Sequence, residues 1–230
     1  MPYEPIKIRS GGREIPAQLH SPPGTKTTGL VVIAYGTDGL ENNEHGPWKT
    51  MIEGYADGLA KRGLFALVPD YFVKTGTAPG IPAAEAMMMR RDDWAAALSD
   101  SVAHAKTRPR VDSQRVGLLG FSLGGHLVLR IRAATKPRVL VEYFAPMLDG
   151  IGSAGHVPYA QIHHGTKDST PGTGFANAGA IEAILKREGT AVTLYPYEGA
   201  GHGFAAKDES NKKASALSQT RTLAFFETQL

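Results

Sequence analysis

The chain has 230 residues, 42% hydrophobic and 20% charged, which suits one domain spanning residues 1–230 with a core large enough to fold without staples. Lys and Arg number 25 against 22 Asp and Glu, a net charge of +3 with no basic run, so the electrostatic footprint of a nucleic-acid binder is missing. Zero cysteines exclude disulfides, thiolate metal sites and a thiol nucleophile, and an N-terminus carrying Glu4 and Lys7, with no apolar run of about 18 residues, predicts neither a secretory signal nor a membrane span and hence a cytoplasmic protein.

In chain order, alternating stretches over Ile6 to Arg9 and Glu14 to His20 flank Ser10-Gly11-Gly12 and predict an N-terminal β-hairpin. Leu30 to Tyr35 is continuously apolar and rich in β-branched residues, as in a strand covered on both faces. Phe65 to Val68, Val116 to Leu119, Val139 to Phe144 and Tyr159 to His163 read the same way, and Thr190 to Tyr197 adds a further strand. Between them Trp48, Met51, Ile52, Tyr55 and Leu59 have helical spacing with Gly63 as a stop, and Trp94, Leu98, Val102 and Ala105 repeat it. Helices are also predicted from about Gly174 to Glu188 and over Ala216 to Leu230. Strands alternating with helices of this length build a mainly parallel sheet with helices on both faces, a three-layer α/β domain, and Ala145 to Pro158 is too short to hold a cap domain.

One constellation carries chemistry. Gly120-Phe121-Ser122-Leu123-Gly124 follows an apolar strand and precedes a helix, so Ser122 sits on a strand-to-helix turn whose close approach requires the small residues on either side. A serine hydroxyl needs a base to take its proton and an acid to hold that base in the right tautomer. Asp168 and His202 follow in that order, each just beyond a predicted strand, so all three project from the edge of the sheet where open α/β sheets bind ligands. The oxyanion formed on attack needs two donors: the N–H of Leu123, and an N–H in Tyr35-Gly36-Thr37-Asp38-Gly39, for which Thr37 is selected. Tyr35, Phe72, Phe144, Met147 and Phe204 fall at or after strand ends and are expected to line the substrate site with Gly36.

These residues resemble the dienelactone hydrolase family of the α/β-hydrolase fold. The similarity runs through Val31-Val32-Ile33-Ala34, Val68-Pro69-Asp70-Tyr71-Phe72, Gly117 to Gly125, His164-Gly165-Thr166-Lys167-Asp168 and Gly201-His202-Gly203-Phe204. The resemblance implies a small, cap-free hydrolase of esters or lactones that works without a cofactor. The best-known members use a cysteine nucleophile gated by a glutamate, where this chain has Ser122 and Gly36. They hold a substrate carboxylate with arginines, where this chain has Lys74 and Ala206, and Lys74 offers a point charge without the bidentate fork.

The expected function is therefore hydrolysis of a small-molecule carboxylic ester or lactone through a Ser122–His202–Asp168 triad, with neither nucleic acid nor membrane as partner. A non-catalytic binding protein on the same fold, or an amide or carbon–carbon bond hydrolase, are the alternatives. No metal site is predicted, because adjacent His163 and His164 face opposite sides of their strand and His45 sits in a solvated loop. His126 reads as a packing residue, Met87 to Met89 as an apolar helix face, and Gly150 to Gly155 lacks the helix a dinucleotide site requires.

Overall fold

The computed structural model describes residues 3–151 and 155–230. Ser10-Gly11-Gly12 turns the chain back: β1 (Glu4–Ser10) and β2 (Arg13–His20) pair antiparallel from Glu4↔Leu19 to Ser10↔Arg13. Gly11 and Gly12 have φ of 48° and 83°, the left-handed pair that a two-residue hairpin loop demands. Along β2, Ile15, Ala17 and Leu19 are buried, the period-2 signature of a strand with one covered face.

The remaining strands, β3 (Thr28–Ala34), β4 (Phe65–Pro69), β5 (Val111–Phe121), β6 (Val139–Tyr143), β7 (Tyr159–Gly165) and β8 (Ala191–Tyr197), run parallel to one another, and β2 joins them by antiparallel pairing with β4. The order across the eight-stranded sheet is β1-β2-β4-β3-β5-β6-β7-β8. The chain moves from β3 to β4 on one side and returns to place β5 on the other. This reversal opens a crevice beyond the carboxyl ends of β3 and β5, where α/β sheets bind ligands.

Helix α1 (Trp48–Lys61) packs with α5 (Glu209–Gln229), and α2 (Ile81–Lys106) packs with α3 (Leu123–Thr135); α4 (Ala176–Arg187) lies against β7 and β8. The central strands are buried on both faces: Val31, Val32 and Ile33 on β3, Leu118 and Leu119 on β5, and Leu140 and Val141 on β6. Each such side chain contributes about 1.5–3 kcal/mol on burial. The three-layer arrangement and the hairpin agree with the sequence reading, and no cap domain is present among the described residues. Among the described residues no helix is long and apolar enough to cross a membrane. Of the glycine-rich stretch 150–155, residues 152–154 lie outside the described residues.

Boundaries differ in three places. β5 starts at Val111, five residues early, because it pairs with Thr28 before a register shift brings Leu30 opposite Val116. α2 begins at Ile81, with Pro82 in its first turn, and its first half carries the exposed Ile81, Met88 and Met89 rather than an apolar stripe. α5 starts at Glu209, where the Asp208 side chain accepts from the Asn211 N–H at 3.0 Å and caps the helix ahead of its apolar residues.

Candidate active site

Ser122 occupies the turn between β5 and α3 with φ 52° and ψ −118°, a strained backbone for a residue with a side chain. A Cβ on Gly120 would collide with the Gly124 carbonyl, and one on Gly124 with the carbonyls of Ala34 and Tyr35. Only glycine at both positions lets strand and helix close to this distance, and the closure lifts the Ser122 hydroxyl clear of the sheet.

Asp168 and His202 come from the loops after β7 and β8, and the backbone joins those loops. Thr166 donates its N–H to the Tyr197 carbonyl at 3.0 Å and Lys167 to the Ala200 carbonyl at 2.9 Å, while a Cβ on Gly165 would meet the Ala200 backbone. His202 opens a short 3-10 turn, His202–Phe204. Its Nδ1–H donates to Asp168 Oδ2 at 2.7 Å, and its Nε2 lies 3.1 Å from Ser122 Oγ. The Phe144 ring, on a residue with φ 40°, sits 4.6 Å from the imidazole and limits its tilt.

The acid is held from several sides. Thr170 donates its N–H to Asp168 Oδ1 at 3.0 Å, the Thr173 hydroxyl lies 3.1 Å from the same oxygen, and His164 Nε2 lies 3.1 Å from Oδ2. Burial alone raises the pKa of this carboxyl, but the hydrogen bonds from His164 and His202, together with the charge of His202, hold it well below the usual carboxylate range. Asp168 is therefore ionised throughout the neutral range, the state in which a carboxylate can orient an imidazole and offset its positive charge.

Leu123 is the first residue of α3, so its N–H has no carbonyl within the helix to bond. The loop after β3 lies opposite: Gly36 packs so closely that an added Cβ would stand 3.3 Å from Ser122 Cβ. That loop is fixed by the Gly39 N–H on the Gly36 carbonyl at 3.1 Å and the Gly80 N–H on the Thr37 carbonyl at 2.8 Å. Leu123 and Thr37 both line a cleft of about 370 Å³ that also contains Ser122 and His202. Trp48, Met51, Ile52, Met87 and Phe121 supply much of its wall.

Of the residues expected to contact substrate, Tyr35, Gly36 and Phe144 line this cleft. The Tyr35 hydroxyl points away, donating to Asp70 Oδ1 at 2.7 Å. Phe72, Lys74, Met147 and Phe204 lie outside the lining. Phe72 packs edge-on against Tyr35 and borders a neighbouring depression. Lys74 Nζ donates to the Ser10 carbonyl at 2.8 Å, tying the 3-10 turn Tyr71–Lys74 to the hairpin. Met147 is a solvent-facing residue, and Phe204 is buried against Phe144 and Tyr197.

Sequence reasoning missed Thr173 and His164 as partners of Asp168, and Trp48 as wall. The one usable signal was the placement of His164 four residues before the acid at a strand end. Among the described residues no group of three or more His, Asp or Glu side chains is placed to hold a metal. His126 on α3 is fully buried, and burial, then the charges of Arg130 and Arg91, push its pKa down to about 4.

The chain resembles known hydrolases over most of its length. The dienelactone hydrolase family model matches residues 15–230. A carboxymethylenebutenolidase of Rhodococcus opacus is 30% identical over 190 residues, covering 75% of this chain and 73% of that protein. Among solved structures, a dienelactone hydrolase-like promiscuous phosphotriesterase from metagenomic libraries superposes with a TM-score of 0.79 at 18% identity, covering 99% and 98% of the two chains. The crystal structure of a "putative dienelactone hydrolase" from Klebsiella pneumoniae gives 0.76 at 17% identity, covering 97% of each. These likenesses identify the α/β-hydrolase fold.

Proposed function

Because the chain belongs to the dienelactone hydrolase family and is a carboxylic ester hydrolase, we propose that it cleaves an uncharged ester or lactone through a Ser122 acyl-enzyme. The observation that carries this reading is the unbroken line of contacts at the cleft floor, Ser122 Oγ to His202 Nε2 at 3.1 Å and His202 Nδ1 to Asp168 Oδ2 at 2.7 Å.

His202, with its proton on Nδ1, has its Nε2 lone pair directed at the serine hydroxyl. As Ser122 Oγ attacks the carbonyl carbon, its proton passes to Nε2, and Asp168 balances the imidazolium that forms. The negative oxygen of the tetrahedral intermediate is received by the N–H groups of Leu123 and Thr37. The imidazolium then protonates the departing alkoxide. In a lactone that alkoxide stays tethered to the acyl group. Water, deprotonated by His202, attacks the acyl-enzyme next, and the returning proton frees Ser122.

The lining supports an uncharged acyl group. It contains Asp38 and His45 but neither lysine nor arginine, and its apolar wall favours burial of hydrocarbon. A carboxylate placed there would lose water without gaining a cationic partner. Hydrolysis of a short-chain nitrophenyl ester by the parent and by Ser122→Ala tests the reading: with the fold retained, the variant falls at least about 10³-fold. An unchanged rate would remove Ser122 from the mechanism.

A further inference from the structure

Behind Asp168 lies a second pair of buried groups that the steps above do not use. His164 Nε2 is 3.1 Å from Asp168 Oδ2 and 2.7 Å from the Thr173 carbonyl. Both partners are acceptors, so Nε2 carries a proton, and in the neutral ring Nδ1 is a free acceptor. Nδ1 is buried without a hydrogen-bond partner among the described residues. Glu142 on β6 is fully buried too; Oε2 accepts the Ala145 N–H at 3.0 Å, and Oε1 has no partner among the described residues.

Sheet register brings the two together. Glu142 is directly opposite Ile162, and His164 is two residues further along β7, so both side chains emerge on the same face as diagonal neighbours. From α3 the residue over Glu142 is Gly125, which carries no side chain: an added Cβ would stand 3.4 Å from Oε2. On the Asp168 side His164 also faces the Phe175 ring, 5.8 Å away. Among the described residues the titratable neighbour acting on Glu142 is His164, and burial outweighs it. A carboxyl with no cation beside it, fully out of water, keeps its proton rather than its charge. A buried acceptor and a buried carboxyl group, each without a partner among the described residues, thus lie as diagonal neighbours on one covered face of the sheet.

We propose that Glu142 is a positioning residue for the triad acid: as a neutral carboxylic acid it offers its proton to His164 Nδ1, holding His164 in the tautomer whose Nε2–H clamps Asp168. The chain then runs Glu142, His164, Asp168, His202, Ser122; its last three links are hydrogen-bond contacts in the structure, and the first needs a side-chain turn to close, since Oε1 and Nδ1 are both unpartnered. Burial, partly countered by His164 and the Ala145 N–H, pushes the Glu142 pKa up to about 7, so the donor is present in the lower part of the neutral range and fades as pH rises. His163, next along the strand, has the same arrangement with a different donor. Its Nε2 faces the Gln161 side-chain Oε1 at 3.1 Å and its Nδ1 accepts from the Tyr197 hydroxyl at 2.8 Å.

This inference rests on the triad reading, and its test separates the two. Glu142→Gln keeps a donor toward Nδ1, whereas Glu142→Leu removes it at similar volume. On a nitrophenyl ester at pH 6, Glu142→Leu is expected to lose about tenfold in kcat with KM nearly constant, and Glu142→Gln to retain most of the parent rate. Nitrogen-15 NMR of the parent should show His164 protonated at Nε2 with Nδ1 as a hydrogen-bond acceptor, a signature altered in Glu142→Leu. Infrared spectra at pH 6 should contain a buried carboxylic-acid carbonyl band that is lost in Glu142→Gln, which decides the matter even where Glu142→Leu fails to fold. A His164 protonated at Nδ1, absence of that band, or an unaltered kcat and His164 spectrum in Glu142→Leu each overturn the proposal. Ser122→Ala should abolish activity and leave both spectra in place, so a failed triad and a failed Glu142 role give different results.

Discussion

The two faces of β7 at its carboxyl end hold adjacent histidines in opposite circumstances. On the α5 face, His163 is stacked 4.5 Å from Tyr143 and 5.2 Å from Tyr195, and both nitrogens are bonded. Its network continues through Thr222 to the Tyr143 hydroxyl at 2.6 Å and on to Tyr55 at 2.9 Å. On the other face, His164 shares a single N–H between Asp168 and the Thr173 carbonyl, and its remaining nitrogen has no hydrogen-bond partner among the described residues. A buried polar network with every group satisfied gives rigidity, whereas one left open beside strained residues such as Ser122 marks where structure is committed to chemistry.

The comparison breaks most sharply with changes on the His164 side. Asp168→Asn leaves the fold intact but disturbs the His202 tautomer, and kcat is expected to fall by about 10⁴-fold in steady-state assays. A fall of less than tenfold would move Asp168 out of the mechanism. On the other side, His163→Leu leaves the Tyr197 hydroxyl and Gln161 without their partner and should cost about 2–3 kcal/mol in urea unfolding. Activity per folded molecule should stay within about threefold of the parent; a larger drop would tie the α5 face to catalysis.

Protonation sharpens the contrast next. Burial, followed by the Arg221 charge, pushes His163 down to about 3, and His126 lies at about 4, while Glu142 is up at about 7. Between about pH 6.5 and 4.5 the unfolded chain takes up two protons on the histidines that the folded chain refuses, and the folded chain holds one on Glu142 that the unfolded chain lacks. The net of one proton makes these groups lower stability by about 1.4 kcal/mol per pH unit as pH falls through that window. Glu142→Gln removes the opposing contribution, and the slope should double. Equal slopes in parent and variant would contradict a raised Glu142 pKa. The smallest effect is expected from Lys74→Ala, which should leave the ratio of kcat/KM for neutral and carboxylate-bearing lactones unaltered, because Nζ is engaged with Ser10.

Much of this was legible beforehand because it depends on local rules. Continuous apolar runs marked β3, β6 and β7, Gly11-Gly12 marked the hairpin, and Gly120 and Gly124 around Ser122 marked the turn that only glycine can build. The first half of α2 escaped notice because Ile81, Met88 and Met89 face solvent, so no stripe announces it. Lys74 and Phe72 follow a strand as cleft residues do, but the 3-10 turn after β4 sends them elsewhere, a direction set by backbone dihedrals rather than by spacing. Thr173 and His164 meet Asp168 through a loop, and sheet register places Glu142 diagonally from His164; a single strand read alone contains neither relation.

The central claim is that Ser122 is an activated hydroxyl served by His202. Peptide mass spectrometry after brief treatment with a serine-directed phosphonate tests it without knowledge of the natural ester. One adduct on the peptide containing Ser122, forming in step with loss of esterase activity and absent from His202→Ala over the same interval, is the predicted result. Inactivation with the Ser122 peptide unmodified, or equal labelling in the His202 variant, would contradict it.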